Sequence, residues 1–571
     1  MAFEGCGRRL GFGCAVAAAL LVACSGGVRR YPRAAPLWVD PDQHPFSDKP
    51  AEYYSPFGWD AANQTLFRPI ARFFAVDPAG EAANVNALDE VPDSSWFQNR
   101  IGMFAVSPER LARGPCTTPP LDPNRPWTVK DAKPDGFNPG FVIEGPDDRR
   151  YLIKFDGVDQ GPRPTAADVL GTRVYWAAGY HTPCNRVVYF ERDILRVAPD
   201  ATVEDDRGRE RPLTTADLDE VFSKAIQLRD GRYRASSSLF LEGKPLGPWT
   251  YEGRRDDDPN DVIPHEDRRD LRGMRVLAAW IHHFDSREQN TLSTFIETAP
   301  GKGYVRHNVL DFGDSLGSLW TPPELGRRIG HAYYLDVGDV LEDWVTLGLL
   351  ERPWDRASFG PSGPVFAYFD VKSFEPASWK PGYPNPAFSR MRERDAAWMA
   401  RILSRFTDAH LRALIATTDL RDPLLEQELS RILIGRRDRI LARYLLGLSP
   451  LTAPVLSREG DTVRLCLRDA ALDAATVRAD TRAYRARGFW GEPLQATQLP
   501  VEGPLTGARA CVALPVVAGA SIERPRYLIV DVLASKGNGW QPPSRVHLYA
   551  TGAAAFHIVA LERPDDLDPP G

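Results

Sequence analysis

The spacing of apolar residues changes twice along this chain, from strand-like to helical and back, and that order constrains the fold more than any single motif does. Phe141-Val142-Ile143 and Tyr151-Leu152-Ile153-Lys154-Phe155 are short β-prone runs separated by Gly145-Pro146-Asp147-Asp148, a hairpin signal. A helix is expected over residues 165–178, where Val169, Leu170, Val174 and Ala177 recur at helical spacing. Strands are expected at 187–190 and 233–241, around a helix that opens on a Thr214-to-Asp217 capping box and runs to Ile226. Residues 242–248 (Glu-Gly-Lys-Pro-Leu-Gly-Pro) read as a turn or hinge.

Helices then take over. Pro264 suits a helix's first turn, with Glu266 and Asp267 favouring its positive end, and Leu271, Met274, Leu277, Ala278 and Ile281 make one apolar stripe. Further helices are expected over 395–406, 407–417 and 422–446, the last opening on an Asp422 cap and Pro423. From about Val455 alternation returns, as in Val463, Leu465 and Leu467 between Arg464, Cys466 and Arg468, with more strand runs at 527–533 and 556–561. Residues 451–571 therefore read as a small β-sandwich module. The basic pair Arg436-Arg437 is expected on a solvated helix face.

Residues 1–23 read as an export signal. Arg8 and Arg9 precede an apolar run from Leu10 to Ala23, too short to span a bilayer. Leu21-Val22-Ala23-Cys24 resembles the bacterial lipobox, which implies acylation of Cys24, a lipid-anchored mature chain and, with Ser25 rather than Asp next, an outer-membrane destination in the cell envelope. No later segment reaches the roughly 18 uninterrupted apolar residues of a membrane-spanning helix. The formal net charge of −6 argues against nucleic acid as a partner, since phosphate backbones demand a basic surface. With 50 Pro and 46 Gly among 571 residues, long loops are expected, above all in residues 24–130, a tether and loop-rich segment wrapping the next domain. Cys116, Cys184, Cys466 and Cys511 remain in the exported chain. The pairing Cys116–Cys184 with Cys466–Cys511 is preferred, and four buried thiols are the other reading.

The chemistry gathers where the striped helix ends. His282-His283-Phe284-Asp285-Ser286-Arg287-Glu288-Gln289-Asn290 is followed, after two further runs, by Asn308-Val309-Leu310-Asp311-Phe312-Gly313-Asp314. Asp-x4-Asn after a helix, then an apolar strand ending in Asp-Phe-Gly, resembles the protein-kinase catalytic loop and metal-binding turn, and His283-Phe284-Asp285 keeps the His-x-Asp spacing. Lys154 in a hairpin strand before a helix occupies the place of the nucleotide-binding lysine. The resemblance is to atypical kinases: HipA-like, phosphoinositide-kinase-like and secreted spore-coat-type enzymes. It implies an α+β fold, a two-lobed kinase-like domain with N-lobe 131–250 and helical C-lobe 251–450, followed by the β-module.

That resemblance also implies roles. Lys154 would hold the α- and β-phosphates of ATP or another nucleoside triphosphate, Asn290 and Asp311 would bind Mg²⁺, and Asp285 would accept the proton of a hydroxyl on a protein, sugar or lipid acceptor. Gly136 and Gly140 would let backbone approach the phosphates. Asp168 stands where the family's helix supplies a Glu to pair with the lysine. The stretch from Asn290 to Asp311 is longer than in ordinary protein kinases and no Ala-Pro-Glu follows, so a catalytically silent scaffold or glycan- or protein-binding module is the alternative function. A rival reading takes His282, His283, Asp285, His307 and Asp311 as a metallohydrolase site, although adjacent helical histidines point about 100° apart. Residues 256–261 (Asp-Asp-Asp-Pro-Asn-Asp) lack the Gly and Glu of a calcium loop and are expected to cap the helix at Pro264.

Overall fold

The computed structural model describes residues 29–570 apart from 48, 56, 69, 72–79, 134–138, 205–209, 318–322, 353, 356 and 492. The apolar leader, Cys24 and Gly136 lie outside the described residues. The rest is mixed α and β structure with four sheets.

Residues 29–126 carry little regular structure: α1 (Phe57–Ala62), continued by a π-turn, and α2 (Pro108–Arg113). Their aromatics are nonetheless core residues. Phe97 is fully buried against Tyr180 and Trp398. It fits only because residue 179 is glycine: a Cβ there would sit 2.1 Å from the Phe97 ring. The segment also reaches the far end of the chain, where Tyr31 donates to Glu562 at 2.7 Å and the Leu561 amide donates to the Ala87 carbonyl at 2.8 Å.

The first sheet holds β1 (Trp127–Lys133), β2 (Gly140–Glu144), β3 (Arg150–Phe155), β4 (Cys184–Phe190), β5 (Leu195–Glu204), β6 (Glu210–Pro212) and β7 (Tyr233–Leu239), in the order β4-β7-β3-β2-β1-β5-β6. The β2–β3 hairpin closes where the Asp148 amide donates to the Gly145 carbonyl, 3.1 Å. After β3 the buried Asp156 accepts from the Thr165 amide at 2.9 Å and pairs with Arg234, which pins the start of α3 (Arg163–Ala178). Every residue of α3 is buried, so it packs on all sides. The capping box does open α4 (Thr215–Ser223), but the helix stops short of Ile226. Residues 225–227 are drawn away into bridges, the Ile226 amide donating to the Asp156 carbonyl.

The expected hinge at 242–248 contains a strand instead, β8 (Lys244–Gly247), at the edge of a three-stranded sheet with β9 (Thr291–Ala299) and β10 (Lys302–Val309). An edge position tolerates Pro245, whose missing N–H would break an inner ladder. Nor does the striped helix start at Pro264. His265–Asp267 is a 3₁₀ turn, Arg268 is extended, and α5 spans Arg269–Ile281. The acidic run is spent elsewhere: Asp261 bonds His265 at 2.7 Å and Glu266 accepts from the Gly253 amide at 2.7 Å, tying loop to loop rather than capping α5.

Five shorter elements lead on to the long helix: α6 (Pro323–Arg328), α7 (Val337–Val345), α8 (Pro386–Ser389), α9 (Glu393–Leu403) and α10 (Asp408–Ala416). The long helix α11 (Pro423–Ile440) follows with its Asp422 cap accepting from Leu424 at 2.9 Å. Arg436 and Arg437 do not face solvent. Both are buried, because their guanidiniums satisfy carbonyls at the ends of neighbouring segments.

The last part has two antiparallel sheets. One runs β11 (Leu451–Glu459), β12 (Thr462–Asp469), β16 (Arg509–Ala513), β15 (Val501–Leu505); the other runs β14 (Gln495–Leu499), β13 (Tyr484–Trp490), β17 (Arg526–Lys536), β19 (Ser544–Gly552), β20 (Ala555–Glu562). Leu465, Leu467 and Val512 of the first and Val530, Val532 and Val546 of the second share one apolar cluster. The cysteines are joined as Cys116–Cys184 and Cys466–Cys511, not left as four thiols.

A buried carboxyl in the N-terminal segment makes stability pH-dependent. Asp42 accepts from the Ser95 amide at 3.0 Å and hydroxyl at 2.8 Å, yet burial pushes its pKa up from 3.8 to about 6. The folded chain therefore keeps a proton that the unfolded chain has already released. Stability from this group is fully present below about pH 4 and is lost as pH rises through about 6, an effect of about 3 kcal/mol. Asp42→Asn is expected to remove that slope, measured as the change in Tm across pH 4 to 7 for variant against wild type.

Candidate functional site

Lys154 sits near the end of β3, opposite Gly140 on β2 and Ser236 on β7. Its side chain is buried and its Nζ lies 2.8 Å from Asp311 Oδ1. Gly140 is needed for strand contact, since a Cβ there would lie 2.3 Å from the Ile153 carbonyl oxygen. It stands beside Lys154 in the ladder, while its expected companion Gly136 lies outside the described residues.

Asp311 follows β10 after a single residue, Leu310. The Leu310 amide donates to the Asn290 carbonyl at 2.9 Å, and Asp311 then turns left-handed at φ 52°. A non-glycine residue held there stores local strain, of the kind that clusters at functional sites. The Phe312 amide donates to Asp168 Oδ1 at 3.3 Å. Asp168 thus meets the Asp-Phe-Gly turn through backbone, and the direct ionic partner of Lys154 is Asp311.

The other half of the site hangs from the end of α5. His282 caps that helix in a left-handed conformation, φ 58°, which turns the chain into residues 283–290. Asn290, closing a 3₁₀ turn, donates its side-chain amide to the Asp285 carbonyl at 2.8 Å and to Asp285 Oδ2 at 2.7 Å. Arg287 Nε lies 3.1 Å from the other Asp285 oxygen. Asp285 is therefore held at both oxygens, the arrangement that fixes the direction of a proton acceptor. His283 bonds the Tyr175 hydroxyl at 2.9 Å and packs on Phe312, joining the two halves.

Charge balance in this cluster is negative. Burial works against the Lys154 charge, but Asp311, Asp168 and Asp314 outweigh it and hold the lysine above its usual range. Burial, aided by the Asp311 charge, raises the carboxyls of Asp168 and Asp314 in spite of Lys154 and Arg163. Burial likewise raises Asp285, with Asp314 and Asp311 adding to it against Arg287 and Asn290. Carboxyls so short of positive charge are hard oxygen donors suited to a divalent cation. Among the described residues no three His, Cys, Asp or Glu converge on one metal position, so ligands from Asn290 and from a bound phosphate would be needed.

The histidine-centred metallohydrolase reading fails on geometry. His282 faces Trp379 and Phe369, His283 faces Tyr175, and His307 is stacked on Trp96 at 3.4 Å between ring centres. Burial depresses the pKa of all three, to about 4 for His283.

Comparison with known proteins adds little. No protein-family model and no curated protein matches the chain. Two crystal structures of the Golgi casein kinase resemble it. The one with Mn/ADP bound is 13% identical at a TM-score of 0.22, covering 50% of this chain and 75% of that one. The other is 11% identical at a TM-score of 0.25, covering 57% and 75%.

Two supports of the site carry no motif. Arg163, at the start of α3, is buried and donates to the carbonyls of Gly313 and Ser315, each at 2.9 Å, bracing the turn after Asp311. Gly171, one turn past Asp168, leaves the space that Phe312 fills: a Cβ there would lie 2.5 Å from Phe312 Cβ. Only a glycine inside an otherwise ordinary helical pattern hinted at this. Gly171→Val is expected to displace Phe312 and, through it, Asp311, at a cost of about 2 kcal/mol. A lowered Tm together with weakened Mg-nucleotide binding would show it; unchanged values of both would refute the coupling.

Proposed function

We propose that this is an exported, lipid-anchored protein of the cell envelope with a kinase-like domain that transfers a phosphoryl group from a Mg-nucleoside triphosphate to a hydroxyl acceptor. One observation carries the reading. Lys154 pairs with Asp311, Asn290 bonds Asp285, Asp168 accepts from the Phe312 amide and the Leu310 amide donates to the Asn290 carbonyl, so residues far apart in sequence and of the types phosphoryl transfer needs adjoin one another. Two disulfides fit an oxidising compartment. Acylation of Cys24 would supply the membrane anchor.

The residues fit a divalent cation with nucleotide. Asp311 and the amide oxygen of Asn290 would hold the ion, whose chemistry is neutralisation of phosphate charge. Lys154, 2.8 Å from Asp311, would hold the α- and β-phosphates. Asp285 would orient the acceptor hydroxyl and take its proton. Arg163 and Asp168 hold the backbone of the Asp-Phe-Gly turn so that Asp311 stays in place.

Mg-ATP should raise the Tm of the wild type in a Mg-dependent manner, and Asp311→Ala should abolish the shift. Absence of any Mg-dependent shift across nucleotides would defeat the activity. It would leave the second reading, a silent scaffold, which the direct Lys154–Asp311 ion pair favours because it occupies both groups at once.

A further inference from the structure

A cavity of about 540 Å³ whose lining shares no residue with this site lies where three parts of the chain meet: the N-terminal segment, α9 with the residues after it, and the β11–β12–β16 face. Its volume is that of a small-molecule site. The lining carries four guanidiniums, Arg401, Arg405, Arg468 and Arg509, against the single carboxylate of Glu90. Arg401 is only 5% exposed, and one nitrogen donates to Asp89 at 3.1 Å and to Glu90 at 3.2 Å. Its Nε and Nη1 are buried with no hydrogen-bond partner. Arg405 and Arg468 converge on one carboxylate, that of Asp473, at 3.2 and 3.0 Å. Burial, then the charge of Arg405, pulls the Arg468 pKa down against the opposing pull of Asp473.

Much of the rest of the lining is apolar, with Asn99, Thr452 and Thr506 as its neutral polar residues. Trp38 and Met103 are more than a third exposed at the cavity mouth, and Ile402 and Val455 lie in its wall. Two guanidiniums that share one carboxylate, beside the exposed Arg509, suit an oxyanion, and the exposed indole of Trp38 suits a flat apolar body. We propose that this cavity binds an organic anion, a planar apolar group bearing a phosphate or carboxylate. The site is independent of the nucleotide site at Lys154.

Naphthyl phosphate, titrated into the full exported chain with calorimetry as readout, tests this. It should bind once per chain and at least about tenfold more tightly than either naphthol or inorganic phosphate, because each of those keeps only one half of the recognition. Arg509→Glu, at the exposed start of β16, should weaken it about tenfold or more. Trp38→Ala should weaken naphthyl phosphate while leaving inorganic phosphate unchanged. Lys154→Met should leave the affinity as in wild type. Matched Tm values for the two cavity variants would show that they fold. No saturable binding, equal affinity for naphthol, indifference to both cavity substitutions, or loss of binding in Lys154→Met would each overturn the proposal, and only the last would point to the nucleotide site.

Discussion

Asp285→Asn should retain Mg-nucleotide binding yet lose phosphoryl transfer by roughly 10²–10⁴-fold, the usual weight of a positioned general base. The substitution keeps the shape of the side chain and an oxygen for Asn290, which donates to Asp285 at 2.7 Å, so the loop should hold. What it removes is the carboxylate that would take the proton of the attacking hydroxyl. Water can stand in for the unidentified acceptor, and release of ADP from Mg-ATP measures the loss. The nucleotide-dependent Tm shift should persist, in contrast to Lys154→Met, which should lose both. Equal hydrolysis by wild type and Asp285→Asn would remove Asp285 from the chemistry.

Arg436→Ala should be the most destabilising single change, about 4 kcal/mol, seen as a Tm lower by about 10 °C. Its guanidinium donates to the carbonyls of Ala279 at 2.6 Å, Trp280 at 3.0 Å and Asp370 at 2.9 Å, and lies 3.6 Å from the centre of the Phe374 ring. The Trp280 carbonyl is an orphan acceptor at the end of α5, and the Ala279 carbonyl otherwise receives only the His282 amide, 3.4 Å away. Truncation leaves the first buried and unpaired, the second weakly paired, and opens a hole beside Phe374. Because α5 runs directly into residues 283–290, nucleotide-dependent activity should fall with stability. Arg436→Lys should recover little, since a single ammonium on a flexible stem lacks the planar fork that spans three carbonyls. A Tm within a degree or two of wild type would show that water satisfies those carbonyls instead.

Local signals read well from the chain and non-local ones did not. The hairpin around Gly145, the Thr214 capping box and the Asp422 cap are each decided within a few residues, and the structure forms all three. Asp285, Asn290, Asp311 and Lys154 stood out because their types and order are unusual, and they come together. The misreadings share one cause. Pro264 with two acids looks like a helix start, but Glu266 and His265 are claimed by Gly253 and Asp261. Residues 242–248 look like a turn, but β9 offers a ladder to pair with. Arg436-Arg437 look solvated, but two chain segments brought their unpaired carbonyls to them.

By itself the sequence determined where apolar periodicity switches between strand and helix, and which side chains are the candidates for chemistry. Both follow from residue types and spacings a few positions apart. Tertiary structure alone decided that Lys154 pairs with Asp311 rather than Asp168, that Gly171 makes room for Phe312, and that four arginines surround one cavity. Those outcomes depend on distances between residues tens to hundreds of positions apart, set by packing as strand and helix faces close on one another.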